Sequence, residues 1–231
     1  NPFQGNTADT SLISLLTNVA NTLSYNRFSA IWGVDFTQVA NTNKAILTYG
    51  FETRTLQDYT LRIRRNFGRQ WITDLTLKTG NQALATPNPK FDNRNFSFNT
   101  LSVAPGISYI KGTTFRVQTQ YRYDAKTGEA GGQPQQSLRH ALSTDVRYNV
   151  LQKSVINTKL IYSHINFEGT PNSTVGFIML EGLQPGNNIQ WNIDFTRRLN
   201  NSLELSMQYE GRQAANTRTV HIGRASLRAI L

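Results

Sequence analysis

The chain contains no cysteine, which excludes a disulfide scaffold, a thiol nucleophile and a cysteine-based zinc site. It also lacks long apolar runs. A membrane-spanning helix needs about 20 consecutive apolar residues, and every run here stops after a few. Charge is sparse, at 16% of residues, and although 24 Lys and Arg outnumber 14 Asp and Glu, no block of like charge reads as a nucleic-acid arm. Phosphate-cradling glycine loops, nucleotide fingerprints and paired carboxylates in a plausible cleft are absent as well. The first residue is Asn1, without a charged-then-apolar leader before it, so the chain reads as a mature protein or a piece of a longer one.

What is present is neutral polarity. The 231 residues have a mean hydropathy of −0.43 and a formal charge of +10, and Asn and Gln together number 38. Such side chains can face water or a hydrated channel without a fixed charge.

The order of these residues sets the fold class. Phe115, Val117, Thr119, Tyr121 and Tyr123 alternate with Arg116, Gln118, Gln120 and Arg122, the period of a strand with one wet face. Ile189 to Phe195 and Leu203 to Tyr209 repeat the pattern, as do Trp32-Val34-Phe36, Leu47-Tyr49-Phe51, Leu61-Ile63 and Trp71-Leu75-Leu77. A soluble sandwich uses strands of about 5 to 6 residues. The alternating segments 113–124, 137–150, 154–167, 187–199 and 217–231 match or exceed the 9 to 11 residues of a tilted strand that crosses a bilayer. Trp and Tyr near the segment ends suit interfacial girdles, and the other phase suits a hydrated lumen. The expected fold is all-β: an antiparallel up-and-down transmembrane β-barrel of about twelve strands, over residues 20–231.

Connection lengths point the same way. Tight turns at Asn200-Asn201, Leu151-Gln152-Lys153 and Lys111-Gly112 alternate with longer stretches at 212–216, 168–186, 125–136 and 81–94, the asymmetry of periplasmic turns and external loops. Further turns are expected near 68–69, 56–58, 41–43 and 26–29. Val175 to Leu183 reads as a loop element with a short helical turn closed by Gly182, because a strand there breaks the alternation. Face parity rejects a two-residue loop at Asn200-Asn201 and requires Phe195 opposite Met207 and Ile193 opposite Tyr209, through a loop of three residues or its five-residue equivalent. A loop at 151–153 likewise sets His140 directly opposite His164 on the outward phase.

Toward the end of the chain, Gly223, Ala225, Leu227, Ala229 and Leu231 share one phase against Arg224, Ser226 and Arg228. This resembles the C-terminal signal read by the barrel assembly machinery, with Leu231 in place of the usual aromatic. The stretches Gly169-Thr170-Pro171-Asn172-Ser173, Met179 to Asn188, Tyr209-Glu210-Gly211-Arg212 and Thr219 to Arg224, with Trp32-Gly33-Val34-Asp35 and Gly50-Phe51-Glu52 upstream, resemble the C-terminal region of large outer-membrane proteins of Bacteroidota. The resemblance spans roughly residues 20 to 231. It implies a location, the outer membrane of a Gram-negative cell envelope, and a barrel architecture; outer-membrane lipid and lipopolysaccharide, the barrel assembly machinery and other envelope proteins are the expected partners. It supplies no catalytic residues.

Residues 1–19 differ from the rest. Leu12, Leu15, Leu16, Val19 and Leu23 fall at helical spacing behind a capping Asp9 or Thr10, which suggests a periplasmic helix or plug; the alternative is the start of the first strand. Trp32, Trp71, Trp191, His140 and His164 are candidate interfacial aromatics. Two neutral histidines make a poor metal site without a third ligand, Ser143 falls on the opposite phase from His140, and neither an enzyme nor a cofactor is expected. The lumen phase carries a candidate charge network: Glu52, Arg54, Arg62 and Arg64 in one part; Asp194, Arg198, Glu204, Glu210, Arg224 and Arg228 in another. Its members either pair with one another across strands or line an anion-preferring pore. Three functions remain open: a membrane anchor, scaffold or subunit of a larger envelope, surface or secretion assembly; a pore or transporter; and a soluble glycan-binding β-protein. Nucleic acid is not an expected partner.

Overall fold

The computed structural model describes residues 14–48, 50–130, 133–150, 153–215 and 217–229. Eleven strands in chain order form one up-and-down sheet: β1 Ser14–Tyr25, β2 Trp32–Leu47, β3 Gly50–Phe67, β4 Trp71–Ala85, β5 Phe96–Lys111, β6 Phe115–Ala130, β7 Gln133–Val150, β8 Ser154–Glu168, β9 Gly186–Arg198, β10 Leu203–Gln213 and β11 Val220–Ala229. Every neighbouring pair is antiparallel. A short 3-10 helix, Pro89–Arg94, lies between β4 and β5, and one helix, α1 Thr174–Met179, between β8 and β9.

The alternation in the sequence becomes two faces. Cross-strand partners put Ile63, Leu75 and Pro105 on one side, and Leu142, Tyr121 and Tyr162 on the same side further along. Large apolar residues on this outer face are exposed, among them Phe36, Trp71, Leu101, Leu142 and Leu160. Each such side chain removed from water contributes roughly 1.5–3 kcal/mol, so an apolar face of this extent requires a non-aqueous neighbour. The inner face carries most of the charged residues of the strands, among them Glu52, Arg64, Asp74, Lys126, Arg139 and Asp194, and receives α1; polar residues on the outer phase, such as Lys44, Glu129 and Glu168, gather toward the strand ends.

Aromatic residues gather in two belts on the outer face. Near the short turns, Trp71 lies 4.7 Å from Tyr109, Tyr109 lies 6.4 Å from Phe115, and Phe115 lies 6.3 Å from Tyr148, centroid to centroid. The second belt holds Tyr123 against His140 at 5.2 Å and Trp191 against His221 at 5.7 Å. Phe115 and Tyr123 belong to the same strand, about 26 Å apart at about 3.3 Å per residue. With a barrel tilt of about 40° that is about 20 Å of height, close to the ~25 Å apolar band of an outer-membrane barrel.

Both predicted hairpin registers are present. Phe195 faces Met207 and Ile193 faces Tyr209, with the Leu199 N–H donating to the Leu203 carbonyl across a three-residue loop. His140 faces His164, and Val150 faces Ser154 around the 151–153 turn, of which Leu151 and Gln152 lie outside the described residues. α1 takes the place of the expected helical turn, and Gly182 closes it at φ 75°.

Four expectations are corrected. Residues 14–25 are strand β1 rather than a helix, so the proposed segment 1–19 does not end before the sheet; Asp9, Thr10 and Leu12 lie outside the described residues. Leu15, Val19 and Leu23 are spaced by four, which keeps them on one face of a strand as well as of a helix, and Leu16 falls on the other face at the exposed sheet edge. The turns at 41–43 and 56–58 do not exist: both lie inside β2 and β3, which reverse between Leu47 and Gly50. Leu47 and Phe51 consequently fall on opposite faces; Tyr49 is outside the described residues. Finally, the long loop expected at 125–136 is replaced by continued pairing, with Ala130 opposite Gln133.

No ladder joins β1 to β11 among the described residues. Among the described residues the wall is therefore open, with β1 and β11 as its edges.

Candidate functional site on the inner face

The connection between β8 and β9 folds inward and packs on the wall. Ser173 caps α1 by accepting from the Gly176 N–H at 2.9 Å, and the Gly182 N–H donates to the Phe177 carbonyl at 3.1 Å, so the helix is closed at both ends. Val175 and Met179 then insert among Leu84, Phe96 and Phe98 of β4 and β5, with Phe167 and Ile178 alongside. This is a small apolar core on an otherwise polar face. Gly128 lies beneath Phe98, and a Cβ there would meet the Phe98 side chain.

Glu181 fastens the loop. Its residue stands at φ 55°, a left-handed conformation that costs a non-glycine residue about 1–3 kcal/mol. Its carboxylate accepts from Lys126 Nζ at 2.9 Å and from Arg139 Nη1 at 2.5 Å. Lys126 Nζ also donates to the Met179 carbonyl at 3.0 Å. Burial pushes the Glu181 carboxyl upward, but Lys126, then Arg139 and Arg122, outweigh it and hold the pKa below the ordinary carboxylate value. The loop thus depends on an ionised Glu181.

The connection between β4 and β5 is fastened in the same manner. Arg94, in the last turn of its 3-10 helix, reaches Glu52 at 2.9 Å, and Arg54 reaches the other oxygen of the same carboxylate at 2.7 Å.

All ten residues of the predicted lumen network lie on the inner face. Glu52 and Arg54 pair as stated, and Glu204 pairs with Arg228 at 3.1 Å. The others do not join one ladder. Arg64 donates to the Arg27 and Ser29 carbonyls, Asp194 accepts from Asn192, Arg62 stands opposite Asp35 and Arg224 opposite Gln208. Arg198 stands opposite Glu204, and Glu210 lines a cleft of about 430 Å³ with Lys159 and Arg212. Lys126, Arg139, Glu181 and Arg94 were not legible as site residues. Lys126 stood in a stretch read as loop, and Glu181 pairs with it across 55 residues.

A second cleft, of about 390 Å³, lies toward the short turns and is lined by Arg116, Arg147 and Lys159 together with Asp145 and Asp194. Arg116 faces Arg147 directly across β6 and β7, a like-charge pair. Their side chains donate to Gln118 and Asn149.

Trp32, Trp71, Trp191, His140 and His164 all lie on the outer face. His140 Nδ1 is 2.6 Å from the Tyr121 hydroxyl, and His164 Nδ1 is 2.7 Å from Asn187 Oδ1. Ser143 is on the inner face, where its hydroxyl donates to the Gln120 carbonyl at 3.5 Å. No cluster of three metal-ligating residues occurs among the described residues. Gly223, Ala225, Leu227 and Ala229 share the outer phase of β11; Leu231 lies outside the described residues.

An up-and-down antiparallel wall with an exposed apolar outer face, two aromatic belts and a polar inner face defines the fold of an outer-membrane β-barrel. Two solved structures share this fold. The siderophore receptor PirA from Pseudomonas aeruginosa matches with a TM-score of 0.62 at 9% identity, covering 94% of this chain and 39% of that one. CdiB from Acinetobacter baumannii matches with a TM-score of 0.54 at 13% identity, covering 94% and 45%. The translocator domain of autotransporter NalP from Neisseria meningitidis gives 0.44 at 11% identity, covering 94% and 82%. The chain thus spans less than half the length of either PirA or CdiB. No family model and no curated protein matches the sequence.

Proposed function

We propose that the chain is wall and anchor of an outer-membrane barrel, serving as a scaffold or subunit of a larger envelope, surface or secretion assembly, and that it is not an enzyme. The observation that carries this reading is the β8–β9 loop, fixed across the inner face by an apolar core and by Glu181 between Lys126 and Arg139. A wall built to conduct would keep that face clear. The open edges support the larger assembly. With eleven strands, β1 and β11 run parallel to each other, so closure by antiparallel pairing alone needs an odd number of further strands. The outer membrane as location, lipopolysaccharide contact, insertion by the barrel assembly machinery and an origin in Bacteroidota belong to the same proposal.

A second reading, an anion-preferring pore, is favoured by Arg116 facing Arg147 in the basic cleft. Conductance in planar bilayers separates the two. The anchor gives no current steps; in the double variant Val175→Asp, Glu181→Gln, which removes both fastenings of the loop, steps appear. Anion-selective steps in the unaltered protein contradict the anchor and support the pore. The soluble glycan-binding alternative conflicts with the exposed apolar outer face, and a chain that stays monodisperse without detergent would restore it.

A further inference from the structure

The excess of positive charge is not spread evenly over the wall. Within four residues of a short turn, or at the foot of β11, stand eleven Lys and Arg but only three acidic residues. The corresponding zone at the long-loop end holds five basic and six acidic residues among the described ones. The faces divide the short-turn zone further. Asp35, Asp74 and Glu204 all point inward, and so do Arg64, Arg116, Arg147, Arg198 and Arg228. The outer face and the turns carry Arg27, Arg65, Arg69, Lys111, Lys153 and Arg197 and no acidic residue at all.

None of these six cations has a carboxylate partner among the described residues. Two of them rest on aromatic rings: Arg65 lies 5.0 Å from the Phe67 centroid and Arg27 lies 5.9 Å from that of Phe28. Arg65, Arg69, Lys111 and Lys153 belong to the hairpins that carry the belt of Trp71, Tyr109, Phe115 and Tyr148, and Arg27 and Arg197 stand at the same end of the wall on either side of it, where long basic side chains extend from an apolar wall toward a headgroup layer.

We infer that this collar binds the anionic phosphodiester headgroups of phospholipids in the leaflet on the short-turn side. The spacing selects that ligand. Except for Arg65 and Arg69, which share the β3–β4 hairpin, the cations lie at the feet of successive hairpins, about 10 Å apart at about 4.8 Å per strand, too far to converge on one free phosphate ion, yet each hairpin foot can meet a separate headgroup. A cation close to a charged membrane surface contributes about 1 kcal/mol, equivalent to about a fivefold preference for an anionic lipid at that position.

The inference rests on the membrane reading above, and the experiment separates the two. Trp32 and Trp71 lie at the collar and Trp191 in the other belt, so a Trp191→Phe chain reports the collar by fluorescence. The protein is placed in phosphatidylcholine vesicles containing a minor fraction of phosphatidylglycerol, with bromine on the acyl chains of one lipid or the other. Quenching by brominated phosphatidylcholine shows insertion; without it the membrane reading itself fails. Given insertion, phosphatidylglycerol is expected to be enriched about fivefold or more at the tryptophans, and 1 M salt is expected to abolish the enrichment. The combination Arg65→Gln, Arg69→Gln, Lys111→Gln and Arg197→Gln reduces it to near equality, whereas Arg116→Gln with Arg147→Gln leaves it intact. Equal quenching by both lipids in the unaltered protein overturns the inference. So does a preference that disappears only with the inner-face pair, and if the fourfold variant does not fold, salt-insensitive enrichment in the unaltered protein overturns it.

Discussion

Glu181 carries the most consequence of any single residue. It is 46% exposed, so its ion pairs are worth less than a buried pair's several kcal/mol, but its removal leaves Lys126, only 11% exposed, with the Met179 carbonyl alone. Glu181→Gln is expected to cost loop docking about 1–2 kcal/mol, which appears as roughly 5–30-fold faster hydrogen exchange at the Leu180 amide; that amide donates to the Gly176 carbonyl. Exchange unchanged in the variant would remove the ion pair from the account. Because the docked pKa is lowered, the stabilisation is complete above the ordinary carboxylate pKa and is lost as pH falls through the docked value. Exchange at α1 in the unaltered protein should therefore quicken on acidification, and less so in Glu181→Gln. In the sequence, Gly182 marks the end of a helical turn, but nothing local places Glu181 beside Lys126. That contact depends on how the loop crosses three strands, which no spacing encodes.

At the scale of elements, parity did the predicting. Phe195 opposite Met207 and His140 opposite His164 follow from requiring each face to keep one character. Directly opposed residues have Cα atoms about 4.5–5.5 Å apart, within disulfide reach, and the chain has no native cysteine to interfere. His140→Cys with His164→Cys should cross-link on mild oxidation, and Leu142→Cys with His164→Cys should not; the reverse outcome means a two-residue slip. Where parity was silent, turn chemistry misled. Asn41-Thr42-Asn43 offered better turn residues than Thr48-Tyr49-Gly50, yet all three are paired on both sides within the sheet. Residues 125–130 depart from the expected loop for a related reason. No consistent apolar phase runs through Ala125, Thr127 and Glu129, and the backbone ladder continues regardless. The inward core makes a further prediction: Val175→Asp places a charge among Leu84, Phe96 and Phe98 and should undock α1, raising hydrogen exchange throughout 174–180 while leaving that of β7 and β8 unchanged. Protection retained at α1 would contradict the packing.

For the whole molecule, the low mean hydropathy and the net charge of +10 are averages over surfaces that share little. The outer face is apolar with a cationic foot; the inner face is polar, internally paired in part and covered by a loop. A period-two sequence revealed the two faces, but the open edges and the uneven charge along the wall emerge only once the strands are set side by side. The central claim is that the outer face meets lipid. Nitroxide labels on single cysteines at Leu142, Ser143, Thr144, Asp145 and Val146, in protein reconstituted into bilayers, test it directly through their accessibility to oxygen and to a water-soluble nickel chelate. The account predicts strict alternation, with oxygen favoured at 142, 144 and 146 and nickel at 143 and 145. Equal access of nickel to all five positions would contradict it.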